Sequence, residues 1–237
     1  MKYNILVEGP YLTQSGYGEH ARLVLRSLKD NENVEVYGLP LEWGKTSWLA
    51  SDDEERKWLD EISQKVNSLP PEKFDLHVFV GVPNEFQKKA EKAVCVTAGI
   101  EVDRVSPSWL VKSHEIDRMI VPSVHSKEVF LKSSYRTNDE PPESLEVACP
   151  VDVVPYSLRE YGKDPSFNKE LTKSLSHNFN YLCIAQWGPR KNMENMISWF
   201  VDEFKDEEVG LVVKTNFARN SNMDYEFCKK SINRLLK

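Results

Sequence analysis

The sequence predicts an α/β protein: a doubly wound parallel sheet over residues 1–155, then a linker and the start of a second, incomplete unit of the same kind over 156–237. Three observations predict it. Short apolar runs alternate with segments whose apolar residues recur at helical spacing. The runs at 74–81 and 92–99 are apolar on consecutive residues, the pattern of strands buried on both faces. Helical segments separate many of these runs, as in layered folds with helices on both sides of a parallel sheet.

The first run is 3–8, followed by a helical segment over 19–29 with Ala21, Val24, Leu25 and Leu28 on one face. VEVYGL (34–39) reads as a strand. The segment 52–69 opens with acids that favour a helix N-terminus, where the backbone dipole is positive. Strands follow at 74–81, 92–99 and 117–123, the last leading into a helix from about Ser126. The polar, proline-bearing stretch 135–150 reads as a loop, and 151–158 as one more strand. Residues 159–179 read as linker plus a short helix. A second rhythm then begins: a strand at 180–187, a GPRKN turn at 188–192, and a helix carrying Met193, Met196, Ile197, Phe200, Val201 and Phe204 on one face. A strand at 209–216 and a helix over 223–237 complete the chain. Two strands are too few for an independent open sheet, so this second unit is expected to be the opening part of a larger one.

Composition narrows the function classes. The 237 residues are 40% hydrophobic and 29% charged, with a net charge of −6. An acidic balance argues against nucleic-acid binding, which needs a basic surface to neutralise phosphates. No apolar stretch approaches the ~18 residues of a membrane span, and the N-terminus lacks the pattern of a signal peptide. The four cysteines, Cys95, Cys149, Cys183 and Cys228, have no metal-ligand spacing. Cys95 and Cys183 lie within apolar runs and read as buried thiols, which fits a reducing cytoplasm.

Three stretches hold residues suited to chemistry. Gly16-Tyr17-Gly18-Glu19-His20-Ala21 matches G-x-G-x-x-[GA], but Gly9 to Ser15 intervene between strand and glycines. The acid that a dinucleotide site needs at the end of the second strand is replaced by Gly38-Leu39-Pro40. The loop is thus either a turn with glycines for geometry, or a loop that closes on an anion or sugar, with N–H groups at a helix start over 18–21. TAGIEVDRVSPSW (97–109) follows a strand at the edge where open α/β sheets bind ligands. There Glu101 and Asp103 serve either as solvated loop acids, one of them capping the helix near 106, or as polyol ligands that act in acid–base chemistry if desolvated. His114 and His125 read as surface or capping residues, while His20 is open to both readings. In GPRKN, Arg190 and Lys191 sit between strand and helix, and Lys214 ends the next strand. In a parallel sheet these cations share one edge, where they make either a solvated basic turn or a phosphate site. A Walker A loop is absent.

Together, SGYGEHAR, TAGIEVDRVSPSW, IDRMIVPSVHSKEVF, VDVVPYSL and YLCIAQWGPRKNMENMISWF with LVVKT resemble the GT-B glycosyltransferases, specifically glycosyltransferase family 4. The resemblance implies two Rossmann-like domains facing across a cleft, the first an acceptor-side GT-B N-terminal domain and the second binding the nucleotide sugar. It implies that Gly16, Tyr17 and Gly18 lie near the donor phosphates, that Arg190 and Lys191 hold the diphosphate and Lys214 supports it. Glu101 is implied as the catalytic acceptor-side carboxylate, with His20 and Asp103 beside it. The donor is a nucleotide sugar such as a UDP- or GDP-sugar and the acceptor a saccharide or other hydroxyl compound. Transfer is expected to retain configuration without a cofactor or bound metal, in the cytoplasm, with peripheral membrane contact allowed. Two departures stand out: Gln186-Trp187 replaces the usual Gly-Arg ahead of the turn, and the family's distal E-x7-E segment is not found before Lys237. Two other readings stand beside this one, a catalytically inactive α/β module that binds a saccharide or a protein, and an NAD-type enzyme disfavoured by the missing acid.

Overall fold

The computed structural model describes residues 2–137, 143–158 and 173–236. The chain divides into two compact units, one of Met1–Gly44 with Trp48–Leu158 and the other of Lys45–Ser47 with Arg159–Lys237.

The first unit is α/β and Rossmann-like, with a six-stranded sheet. Its strands are β1 (Tyr3–Gly9), β2 (Val34–Pro40), β3 (Leu76–Val80), β4 (Lys92–Val96), β5 (Arg118–Val121) and β8 (Val151–Val153), in the order β2-β1-β3-β4-β5-β8. Every neighbouring pair is parallel. Alternation along each strand feeds two layers. Ile5, Val7, Val78 and Val96 pack beneath α1 (Gly16–Lys29) and α2 (Glu54–Lys65). Phe79, Cys95, Met119 and Val121 share the opposite core with Leu110 of α3 (Pro107–Ser113) and Phe130 of α4 (Val124–Lys132). The chain winds from β1 out to β2, then returns past β1 and proceeds the other way. Helices α1 and α2 pack on one face of this sheet, and α3 and α4 on the other.

Several boundaries differ from the sequence reading. The first helix begins at Gly16, because the Ser15 hydroxyl accepts a hydrogen bond from the Gly18 N–H and caps it there. The fourth helix begins at Val124, capped by Ser123. The strand expected over 151–158 ends at Val153. Within the expected loop 135–150, β6 (Tyr135–Arg136) and β7 (Ser144–Leu145) form a small antiparallel ladder. Residues 159–172 of the expected linker lie outside the described residues.

In the second unit β9 (Phe179–Ile184) and β10 (Val209–Lys214) pair in parallel, with Ile184 opposite Lys214. They are joined by α5 (Met193–Phe204) and followed by α6 (Asn222–Leu235). Trp187, Met193, Ile197 and Cys228 form the buried core, with Cys183, Leu211 and Val213 against it. Tyr181 adds an aromatic cluster with Phe200 and Phe204, at ring-centre distances of 5.5 and 5.2 Å. Val201, expected on the same face, is exposed, as is the strand face opposite the helices, where Leu182 and Ile184 each keep 65% of their surface. Of the two cysteines expected to be buried, Cys95 is fully so and Cys183 only partly.

Candidate functional site

The strand order of the first unit reverses beside β1, and open α/β sheets bind ligands at the carboxyl edge of such a reversal. The segment from β1 to α1 lies there and is held by its own polar groups. The Thr13 hydroxyl donates to the Pro10 carbonyl at 2.8 Å and lies 2.8 Å from the Ser15 hydroxyl. Arg22, which is buried, donates to the carbonyls of Tyr11 and Thr13 at 2.6 and 3.0 Å and pairs with Glu19 at 2.9 Å. The two glycines have different surroundings. A Cβ on Gly18 would overlap the Thr13 carbonyl oxygen and lie 2.8 Å from the Thr13 hydroxyl, so the loop backbone itself fills that space. A Cβ on Gly16 would meet nothing within 4 Å. The expectation of free N–H groups over 18–21 is therefore corrected: Gly18 donates to Ser15 at 2.9 Å and Glu19 to the Ser15 carbonyl at 3.0 Å, leaving Gly16 and Tyr17 ahead of the first intrahelical bond.

Tyr17 turns back across the sheet edge. Its ring lies 4.3 Å from that of Trp43. Its hydroxyl accepts from the Ala98 N–H at 3.1 Å and lies 3.0 Å from the Thr97 hydroxyl, just past β4. Burial raises its pKa above the ordinary tyrosine value. His20, one turn on, is buried, with its ring edge-on to Tyr156 at 4.8 Å. Desolvation lowers its pKa from 6.5 to about 4, so the ring is neutral at pH 7, and Nδ1 is shut from water without a partner. His20 and Tyr156 stand at an apolar cavity of about 380 Å³ that continues over Val78, Val94 and Ile120. His114 and His125 are exposed, as expected of surface residues.

Glu101 and Asp103 are both exposed, on the loop between β4 and α3. That loop is pinned on both sides. Ahead of Glu101 the Ile100 N–H donates to the Ser126 hydroxyl at 3.1 Å. Beyond Asp103 the Val105 N–H donates to the Ser133 hydroxyl at 3.0 Å, and the Tyr135 hydroxyl donates to the Val105 carbonyl at 2.7 Å.

A further polar group is invisible to local patterning. Glu8, within β1, is buried and lies 2.8 Å from Nε2 of the fully buried His77 on β3, with Lys89 Nζ at 3.2 Å. An ionised carboxylate only accepts, so Nε2 donates in this bond, while Nδ1 has no hydrogen-bond partner and the ring stacks on Phe86. Glu8 interrupts an otherwise apolar run, which was the one available signal. At the end of β2, where a dinucleotide site needs an acid, the Tyr11 hydroxyl lies close over Gly38 and bonds Ser63 at 2.8 Å.

In the second unit Arg190 and Lys191 lie on a short 3-10 turn, Pro189–Lys191, just past β9. Asn192 takes a left-handed conformation (φ 51°) and starts α5. Lys214 closes β10. All three cations are exposed, and the parallel pairing brings their backbones to the same edge. Trp187, at the position of the departure noted above, is buried in the core, while Gln186 donates to the Phe217 carbonyl at 2.9 Å. Among the described residues no group of three or more His, Cys, Asp or Glu side chains is placed to hold a metal, and no helix is long and apolar enough to cross a membrane. Comparison of the chain with protein-family models and with curated protein sequences gives no match.

Proposed function

We propose that this chain belongs to a nucleotide-sugar-dependent glycosyltransferase of the GT-B kind, acting in the cytoplasm on a saccharide or other hydroxyl acceptor. The observation that carries the reading is the second unit's edge. A strand, a basic turn and an amphipathic helix put Arg190 and Lys191 beside the strand that ends in Lys214. Such a cluster suits a diphosphate, since the guanidinium forks onto oxygens and the lysines add point charges. As the glycosidic bond breaks, negative charge grows on the leaving nucleoside diphosphate, and fixed cations stabilise that charge more than the ground state. The first unit then serves the acceptor. Exposed Gly16 and half-buried Tyr17 border the sheet edge, His20 is neutral beside it, and exposed Glu101, with Asp103 nearby, offers carboxylate oxygens to the hydroxyls of the acceptor. Retention of configuration and independence from metal follow from the family reading.

Calorimetry with UDP and GDP, followed by a transfer assay with UDP- and GDP-sugars in the presence of EDTA, tests this. Nucleoside-diphosphate binding abolished by a double Arg190→Ala, Lys191→Ala change, with EDTA-resistant transfer, is the expected result. The second reading is a binding module without turnover. It is favoured by the buried Trp187 where the family places a polar contact. Saccharide binding with no affinity for either nucleotide would establish that instead.

A further inference from the structure

Strands β4 and β5 lie inside the sheet, and inner strands of a parallel sheet are ordinarily buried on both faces. On the side of α3 and α4 this holds: Cys95 and Met119 are fully buried. On the side of α1 it does not, and Val94 and Ile120 stay partly exposed. They open on the apolar cavity of about 380 Å³, walled by aliphatic side chains of α1, β3, β4 and β5 and by the segment after β8. Along α1 the cavity reaches from His20 to Leu28, eight residues or about 12 Å of helix. None of the described residues that line it is Asp, Glu, Lys or Arg.

One polar group in this wall is unpaired. His20 keeps only 7% of its surface, and its ring meets Tyr156 edge-on without a hydrogen bond to any described residue. Nδ1 is closed off from water, so Nε2 is the nitrogen that a molecule in the cavity can reach. Two hydroxyls of the wall are already engaged: Ser27 donates to the Val24 carbonyl at 2.7 Å, and that of Tyr156 faces the Gly99 backbone. A buried imidazole without a partner carries a desolvation cost that a ligand hydrogen bond offsets. Desolvation keeps the ring neutral at pH 7, so it presents one nitrogen and no charge. A hydroxyl suits either tautomer, because it both donates and accepts. A carboxylate would lose its hydration against a wall that holds no cation. We propose that this cavity is a binding site for a small uncharged aliphatic alcohol, its chain along Val24, Leu28, Val78, Val94 and Ile120 and its hydroxyl on Nε2 of His20. Apolar walls, one placed polar group and this volume are the ordinary make-up of a small-molecule pocket. The site lies wholly within the first unit and does not depend on the glycosyltransferase reading.

Titration of the full chain with 1-octanol, followed by methyl NMR, tests the site. The methyl signals of Val78, Val94 and Ile120 should shift and saturate, while those of Val129 and Val151, in the opposite core, should stay in place. The Nε2 resonance of His20 should move with them. Octanoate at pH 7 should bind about tenfold or more weakly than the alcohol. His20→Leu should weaken octanol binding about fivefold, the factor expected from one hydrogen bond. Val24→Trp should fill the cavity and abolish binding, and Leu28→Trp should do the same from its far end. The urea midpoint and the unmoved signals of the opposite core show which variants are folded. Four results overturn the proposal: no saturable shift in the cavity methyls of the unaltered protein, undiminished binding in a folded tryptophan variant, full octanol affinity in His20→Leu, or octanoate binding as tightly as octanol.

Discussion

Gly16 and Gly18 stand two residues apart in the first turn of α1, yet substitution should affect them in opposite ways. At Gly18 an added methyl collides with the Thr13 carbonyl and sits 2.8 and 3.0 Å from the Thr13 hydroxyl and the Pro10 carbonyl. Those atoms are backbone or tied to backbone, so the loop must move. Its movement would loosen the Thr13–Ser15–Gly18 hydrogen-bond chain that caps the helix. Overpacking costs about 1–3 kcal/mol and a weakened cap about 1 kcal/mol, against a gain of about 1 kcal/mol from replacing glycine in a helix. Gly18→Ala should therefore destabilise the first unit by about 1–3 kcal/mol. Gly16→Ala meets open space and should stabilise it by a few tenths to about 1 kcal/mol. The urea midpoints of the two variants should differ by about 1 M, given slopes of ~1–3 kcal/mol per M. Equal midpoints, or a Gly18→Ala protein as stable as its parent, would refute the packing argument. The same pair bears on function. Gly16→Val should lower sugar transfer per folded molecule if the open space belongs to a substrate, whereas Gly18→Ala should lose activity only in proportion to folded protein.

Arg190→Ala should weaken nucleoside-diphosphate binding by about 1.5–3 kcal/mol, the scale of a charge-assisted contact, and unchanged affinity by calorimetry removes the residue from the phosphate site. His20 refuses a proton in the folded state down to about pH 4, whereas the unfolded chain takes it up near 6.5. Its contribution is complete above pH 6.5 and is lost between 6.5 and 4, by up to about 3 kcal/mol, and His20→Phe should flatten that limb of the urea-midpoint profile. Glu8→Leu leaves His77 without its acceptor and Lys89 without its partner, and should cost about 3 kcal/mol. A midpoint shift no larger than that of an exposed carboxylate such as Glu54 would show that the buried pair contributes nothing net.

What the sequence determined by itself is what local physics writes into neighbouring residues. Period-two and period-3.6 apolar patterns follow from how side chains project from strand and helix, so the alternating elements, the two-sided burial of β3 and β4 and the helix behind GPRKN were legible in advance. Ends were less so. Ser15 moved the first helix back to Gly16, a capping choice that competes with the reading of the same glycines as a loop. Tertiary structure alone decided the rest. Strand order depends on crossover handedness and packing, and no residue pattern stated that β3 would lie beside β1. The polar groups that matter most are joined across long separations: Tyr17 to Ala98, Ser126 to Ile100, Glu8 to His77. Apart from the break that Glu8 makes in an apolar run, none has a local signature, because a hydroxyl or a carboxylate acquires its role from the donor that folding brings beside it. For the same reason Gly18 could be recognised as a glycine of consequence from the sequence, but only the Thr13 carbonyl above it shows that the space it keeps open is already filled by the protein.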